Sequence, residues 1–309
     1  MTNFRIQIPI EKYNFPIDYD SEVFSIGSCF AENISKKLNY FKIKNKSNPF
    51  GILFHSLAIE KVLEKAVKNI PFTEDDLFFH NELWHCFDVH SEFSSTDKTQ
   101  FLEKLNQVLS ETRIALEKST HLLITLGTSW VYRYNQTNEI VANCHKFPHK
   151  EFRKELLTSE QITKSLEHII LLFPNKKIIF TISPVRHIKD GFFENNVSKS
   201  NLFISINNVH DNSNVNYFPS YEIIMDELRD YRFFSEDMLH PNQIAIDYIW
   251  ERFSEHYFSE NALQISKEID TIQKALGHKP FNPNTKAHKK FVESTQQRIE
   301  KLGGIWKNV

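Results

Sequence analysis

Three short apolar runs set the terms for any fold this chain adopts. VFSIG (residues 23–27), HLLITLG (121–127) and KKIIFTIS (176–183) are apolar almost throughout, and stretches of helical period separate them. After the first run, Phe30, Ile34, Leu38 and Phe41 recur at that spacing. A strand that is apolar on both faces has to be covered on both faces. Strands joined by helices of a dozen residues or more return to the same end of a sheet. The pattern therefore predicts an α/β fold with a mainly parallel sheet between layers of helices. Ligands of such sheets gather at the carboxyl ends of the strands, so the search for chemistry starts there.

The remaining segments fit this frame. HSLAIEKVLEKAVKNI (55–70) and TQFLEKLNQVLSETRIALEKS (99–119) read as amphipathic helices. TSEQITKSLEHIILLF (158–173) opens with Thr158 and has Gln161 three residues on, the spacing of a capping box. DDLFFHNELWHCFDVHS (75–91) reads as irregular strand and loop, and SEDMLHPNQIAIDYIWERFSEHYF (235–258) as a loop running into a helix. From Ser259 onward two helices flank a Gly/Pro breaker, and the last is only thinly apolar. Residues 1–258 are expected to form one domain. Residues 259–309 are expected to be a helical appendage packed on it, offering a surface for a homo-oligomer.

Composition excludes several classes. A formal net charge of −2 gives no electrostatic reason for a nucleic-acid or anionic-membrane partner. No run approaches the roughly 18 apolar residues of a membrane span, and the opening residues lack a secretory apolar region. Three scattered cysteines, Cys29, Cys86 and Cys144, suit a reducing compartment better than a disulfide framework. A cytoplasmic location is the expectation.

Two short motifs carry chemistry. Ser28 lies between a predicted strand and a predicted helix, where free N–H groups and the positive helix end favour a developing oxyanion. Serine there is also a common helix cap. In EDMLHPN (236–242), Asp237 precedes His240 by three residues. That spacing lets a carboxylate orient an imidazole whose other nitrogen takes a proton from serine. Asp237 or Asn242 serving as an ordinary cap is the plainer alternative. Gly27, Gly51 and Gly127 stand in a chain with only seven glycines, which suggests sharp turns or close approach. Cys29 is a rival nucleophile, but beside Phe30 it is read as facing inward. The sequences WHCFDVH (84–90) and NCHKFPH (143–149) follow no familiar zinc spacing, so no metal is expected. Arg186 and His187 follow a strand and suit contact with an anionic or polyhydroxyl substrate.

Gly27-Ser28-Cys29-Phe30-Ala31 resembles the signature of the GSCFA family, and Asp237-x-x-His240 is similar to the catalytic pair of the wider SGNH hydrolase superfamily. NPFG (48–51), LGTSWVY (126–132), NCHK (143–146), SPVRHIKDG (183–191) and the long run 217–241 extend the resemblance over roughly residues 20–255. It implies a three-layer α/β/α, flavodoxin-like domain and a serine hydrolase acting on a carboxylic ester without a cofactor. Residue by residue, Ser28 resembles the nucleophile, His240 the general base and Asp237 its orienting partner. Gly51 is the nearest match to the oxyanion-binding glycine. The third oxyanion block departs from the superfamily, with Thr128 and Ser129 where Gly-x-Asn is usual, so Asn48 or one of those hydroxyls would have to donate instead. The resemblance also implies that His90, His145, Arg186 and His187 line the pocket. By superfamily analogy the substrate would be a small-molecule or glycan ester, with acetyl on a carbohydrate the first guess. An O-acyltransferase or a non-catalytic glycan-binding module are the alternatives on the same fold.

Overall fold

The computed structural model describes residues 6–307. Five parallel strands form the central sheet: β1 (Glu22–Gly27), β2 (Lys44–Ser47), β5 (His121–Leu126), β9 (Lys177–Ile182) and β10 (Val215–Phe218). Their order across the sheet is β10-β9-β5-β1-β2, and every pairing is parallel. The chain winds from β1 outward to β2 and then crosses back to β5 on the other side. The crevice at the carboxyl ends of β1 and β5 is therefore the point where the winding reverses.

The three inner strands β1, β5 and β9 are mostly apolar because both their faces are buried, whereas the edge strand β2 (KNKS) is polar and half-buried and, like β10, is not foreseen from the sequence. Phe24, Ile26, Leu122, Ile124, Ile178 and Phe180 point to one layer, which holds α2 (Ser56–Lys68), α3 (Lys98–Lys118), α4 (Ser159–Leu172) and α5 (Phe192–Val209). The alternate residues Val23, Leu123, Ile179 and Phe218 pack into the other layer, with α1 (Cys29–Tyr40), α7 (Gln243–Tyr257) and α8 (Glu260–Gly277). At roughly 1.5–3 kcal/mol per fully buried large aliphatic side chain, neither layer is dispensable. The three-layer α/β/α architecture anticipated above is the one observed.

Helix ends follow the local sequence. Thr158 accepts from the Gln161 N–H at 3.2 Å while the Gln161 side chain accepts from the Thr158 N–H at 2.9 Å, completing the capping box. At the C-terminus, α8 buries Ala262, Ile269 and Ile272, whereas α9 (Lys286–Leu302) buries only Thr295.

Two small antiparallel units differ from the sequence reading. Residues 77–86 form a regular hairpin of β3 (Leu77–His80) and β4 (Leu83–Cys86) where irregular strand and loop were expected. Its turn residues Asn81 and Glu82 both have positive φ, at 46° and 62°, the backbone of a primed two-residue turn. Asparagine suits that position; glutamate does not advertise it. A second unit, β6 (Trp130–Tyr134), β7 (Ile140–Val141) and β8 (Phe152–Leu156), follows β5 and builds one wall of the site. After β10, a single helical turn, α6 (Ser220–Glu222), runs into a π-helical turn, Ile223–Glu227. Glu227 lies buried near Arg252, at 3.6 Å, and not near Arg229 or Arg232, which pair at the surface with Asp226 and Asp230.

Two residues fix the local geometry firmly enough to test. Gly27 has φ +138°, and a Cβ there would sit 2.1 Å from the Thr125 carbonyl oxygen. Gly27→Ala is expected to destabilise the fold by about 3 kcal/mol or more, from strain and overpacking together, read as a lower urea midpoint. His55 caps α2 through a ring nitrogen: its Nδ1 accepts from the Ala58 N–H at 3.2 Å, and Nε2 lies 3.1 Å from the Val141 carbonyl. The bond accepted by Nδ1 requires the neutral ring, with its proton on Nε2, and burial drives the pKa down to about 4. The unfolded chain takes up that proton first, so this contribution is intact above the ordinary histidine value of 6.5 and is lost as pH falls from 6.5 through 4. Urea midpoints should drop over that window, and His55→Asn, which keeps a capping oxygen, should remove up to roughly 3 kcal/mol of the acid sensitivity.

Candidate functional site

The site is assembled from loops at the carboxyl edge of the sheet. Gly27 ends β1 and lets the chain turn sharply into α1. Ser28 is the helix cap: its backbone is extended (φ −69°, ψ 172°), its Oγ accepts from the Phe30 N–H at 3.3 Å, and it has no exposed surface. Its N–H donates to the Thr125 carbonyl at 3.0 Å. Cys29, the first residue of α1, lines the cavity at this edge, which corrects the expectation that it faces inward. The physical reason is the cap itself. Folding the residue 28 side chain back onto the helix turns the next residue outward over the strand ends. Burial, then Glu32, pushes the Cys29 thiol above its ordinary pKa, so it is mainly protonated at neutral pH.

Asp237 and His240 meet as their spacing suggested. Asp237 Oδ2 lies 2.5 Å from His240 Nδ1, and Oδ1 accepts from the N–H groups of Leu239 (2.9 Å) and His240 (3.0 Å). Met238 between them adopts φ +58°, which lets the short turn close. These main-chain donors, followed by the imidazole, hold the Asp237 carboxyl down at about 2. The pair is about half exposed, at 46% for Asp237 and 50% for His240, so it is held by geometry and not by packing. Among the described residues no hydrogen bond joins Ser28 Oγ to His240; the Ser28 hydroxyl is engaged in its cap.

Cys29 and His240 line one cavity of about 550 Å³. Its walls include Phe54, His55, Trp130, Tyr132, Arg186 and His187. His187 stands edge-on to Phe54, with ring centroids 5.3 Å apart, and its buried Nε2 has no partner. Burial, then Lys199, lowers the His187 pKa to about 4, so the ring is neutral at physiological pH. Lys199 lies fully buried beneath, donating to the carbonyls of Gly127 (2.7 Å) and Ser183 (2.8 Å) just past β5 and β9. Burial brings its amine down to about 7.

Several residues assigned from sequence stand elsewhere. The Gly51 N–H, an expected oxyanion donor, is committed to the Asn48 carbonyl at 2.8 Å; a side chain at position 51 would strike the His90 Cβ at 2.3 Å. Thr128 reaches the cavity wall, but its Oγ1 is tied to Ser198 Oγ at 3.0 Å and accepts from the Trp130 N–H. Ser129 is fully buried and bonds the Ser198 carbonyl at 2.7 Å. These hydroxyls fasten the loop after β5 to α5. His90 caps the short turn Ser91–Phe93 and is absent from the cavity wall; His145 is buried with Nε2 on the Cys86 carbonyl at 2.7 Å, and is absent as well. Asn48 accepts from the Gly27 N–H at 2.8 Å through Oδ1, which leaves its buried Nδ2 without a partner beside the β1–α1 turn.

Sequence reasoning missed Trp130 and Tyr132 as wall residues, although their alternation in LGTSWVY places them on one face of β6. Cys144 also lines the wall, and nothing in its local pattern distinguishes it from a core cysteine. Lys199 gave only a faint sign, a cation within an otherwise inward helical face. His85 and His145 do come together, with ring centroids 4.9 Å apart, but among the described residues no group of three or more His, Cys, Asp or Glu is placed to hold a metal ion. No described helix is long and apolar enough to cross a membrane.

A comparison with curated proteins found no match. A family model described as GSCFA family matches residues 22–253, from β1 to within α7, and a second, described as GSCFA domain protein, C-terminal domain, matches residues 269–309. The first match spans the β1–α1 turn, the walls of the cavity and the Asp237–His240 loop, and on that extent the chain belongs to the GSCFA family.

Proposed function

We propose that this chain is a hydrolase of carboxylic esters, working through a covalent acyl intermediate. One observation carries the reading: His240, oriented by Asp237, lines the same cavity as Cys29, the first residue of α1 and directly after Ser28. A carboxylate-oriented imidazole facing a helix N-terminus is the arrangement that acyl transfer needs.

In this reading Ser28 Oγ leaves its cap and gives its proton to His240 Nε2 as it attacks the acyl carbonyl. Asp237 holds the tautomer and stabilises the imidazolium. The oxyanion takes the positive end of α1, with the unpartnered Asn48 amide as side-chain donor, because Gly51, Thr128 and Ser129 are committed elsewhere. The tetrahedral intermediate collapses, the carbon–oxygen bond to the alcohol breaks, and His240 protonates the leaving alcohol. Water, activated by the same imidazole, then releases the acid and restores Ser28. A sugar hydroxyl in place of that water makes the same cycle an O-acyl transfer.

A second reading has its own support. Cys29 lines the cavity while Ser28 is buried and capping, which favours either a cysteine nucleophile or a binding module that no longer turns over. Labelling with a fluorophosphonate probe separates these. Wild type and Cys29→Ala should label, and Ser28→Ala should not. An unlabelled wild type points to the binding module; label lost only in Cys29→Ala transfers the role to the thiol. For the active protein, Asp237→Ala is expected to lower kcat about 100- to 10,000-fold with little change in KM, measured on short-chain aryl esters.

A further inference from the structure

A second cavity, of about 280 Å³, adjoins the first and shares Arg186 and Leu239 with it. Its lining is mostly apolar: Phe192, Ile224, Met225, Phe234 and Met238, with Tyr231 at the rim. Whole small-molecule sites usually occupy about 300–1,000 Å³, so this space suits one arm of a ligand whose body lies in the larger cavity. Phe192, Tyr231 and Met238 are 65%, 74% and 53% exposed. Apolar side chains held this open beside a site gain from being covered by an apolar group.

Arg186 stands where the two cavities join. Among the described residues no carboxylate lies within ion-pair distance of it; one terminal nitrogen donates to the Met225 sulfur at 3.2 Å, a weak acceptor. The neighbouring acids are already engaged. Asp190 pairs with Lys154 at 2.6 Å, Asp226 with Arg229 at 2.9 Å, Asp230 with Arg232 at 3.1 Å, and Glu222 accepts from Tyr217 at 2.7 Å. A guanidinium offers five donors in a planar fork suited to a carboxylate or phosphate. The junction therefore carries one guanidinium charge that no carboxylate among the described residues neutralises.

We propose that the substrate carries an oxyanion group, a carboxylate or a phosphate, seated on Arg186, and an apolar arm that fills the 280 Å³ cavity. This rests on the hydrolase reading for the position of the ester, in the larger cavity beside His240. An acetyl ester of a neutral sugar would leave both the guanidinium and the apolar cavity unmatched.

The test measures binding, not turnover, so it stands apart from the labelling experiment. Calorimetric titration of the full chain compares hexyl phosphate and heptanoate with 1-hexanol and with inorganic phosphate. At least one of the two amphiphilic anions should bind about tenfold or more tighter than both hexanol and inorganic phosphate. Arg186→Met should remove that advantage over hexanol. Phe192→Ala, at an exposed position on the wall of the smaller cavity, should weaken the amphiphile and leave inorganic phosphate unaffected. Equal affinity for hexanol and both anions overturns the oxyanion seat, and equal affinity for inorganic phosphate and hexyl phosphate overturns the apolar arm. Amphiphile binding with no fluorophosphonate label keeps this proposal and sinks the hydrolase reading; labelling without amphiphile binding does the reverse.

Discussion

The contact between Gly27 and the Thr125 carbonyl is the constraint on which the site depends. It brings the end of β1 against β5 with no side chain between them, and the chain can then turn at once into α1. The helix N-terminus consequently opens at the crevice where the sheet reverses its winding. Ser28 N–H is held by the same Thr125 carbonyl, and Asn48 Oδ1 holds the Gly27 N–H from the β2 side. Two bonds, one to a main-chain and one to a side-chain oxygen, thus fix the turn. A larger residue at position 27 would part the strands and move everything mounted on them.

Around that turn the protein spends most of its polar groups on itself. The N–H groups expected to greet an oxyanion are bonded to carbonyls, and the hydroxyls after β5 are tied to α5. Among the buried polar atoms left without a partner are the Asn48 amide beside the turn and His187 Nε2 in the cavity wall, while the guanidinium of Arg186 has a sulfur for an acceptor. Unmet buried donors are costly, and in folded proteins they are uncommon. His187 and Arg186 line the cavity, and a polar ligand there would satisfy both. The neutral state of His187 fits this, since an uncharged ring costs less to bury and can still donate one hydrogen bond.

The inner strands of the parallel sheet were legible because burial on both faces leaves a plain mark, apolar residues at most positions of 23–27, 121–127 and 176–183; the edge strands β2 and β10, the first with no apolar residue, were not. The capping box at Thr158 and the Asp237–His240 pair were legible because both are local, settled within three residues. The antiparallel units were not. β6 and β8 carry charged residues such as Arg133 and Glu155, whose cross-strand ion pair exists only once the strands meet. The orientation of Cys29 was misread because it turns on whether Ser28 caps the helix, a choice made by backbone geometry. The fates of Thr128 and Ser129 depended on Ser198, far away in the chain, and no local pattern announces such a partner.

The account stands on the carboxylate–imidazole pair acting upon the start of α1. The most direct measurement is a crystal structure of the chain after reaction with a small phosphonate ester. The account predicts a phosphorus–oxygen bond to Ser28, the serine cap broken, His240 Nε2 within hydrogen-bond reach of the adduct, and the phosphonyl oxygen near Asn48 Nδ2. An adduct on another residue, or one on Ser28 that His240 does not reach, would contradict it.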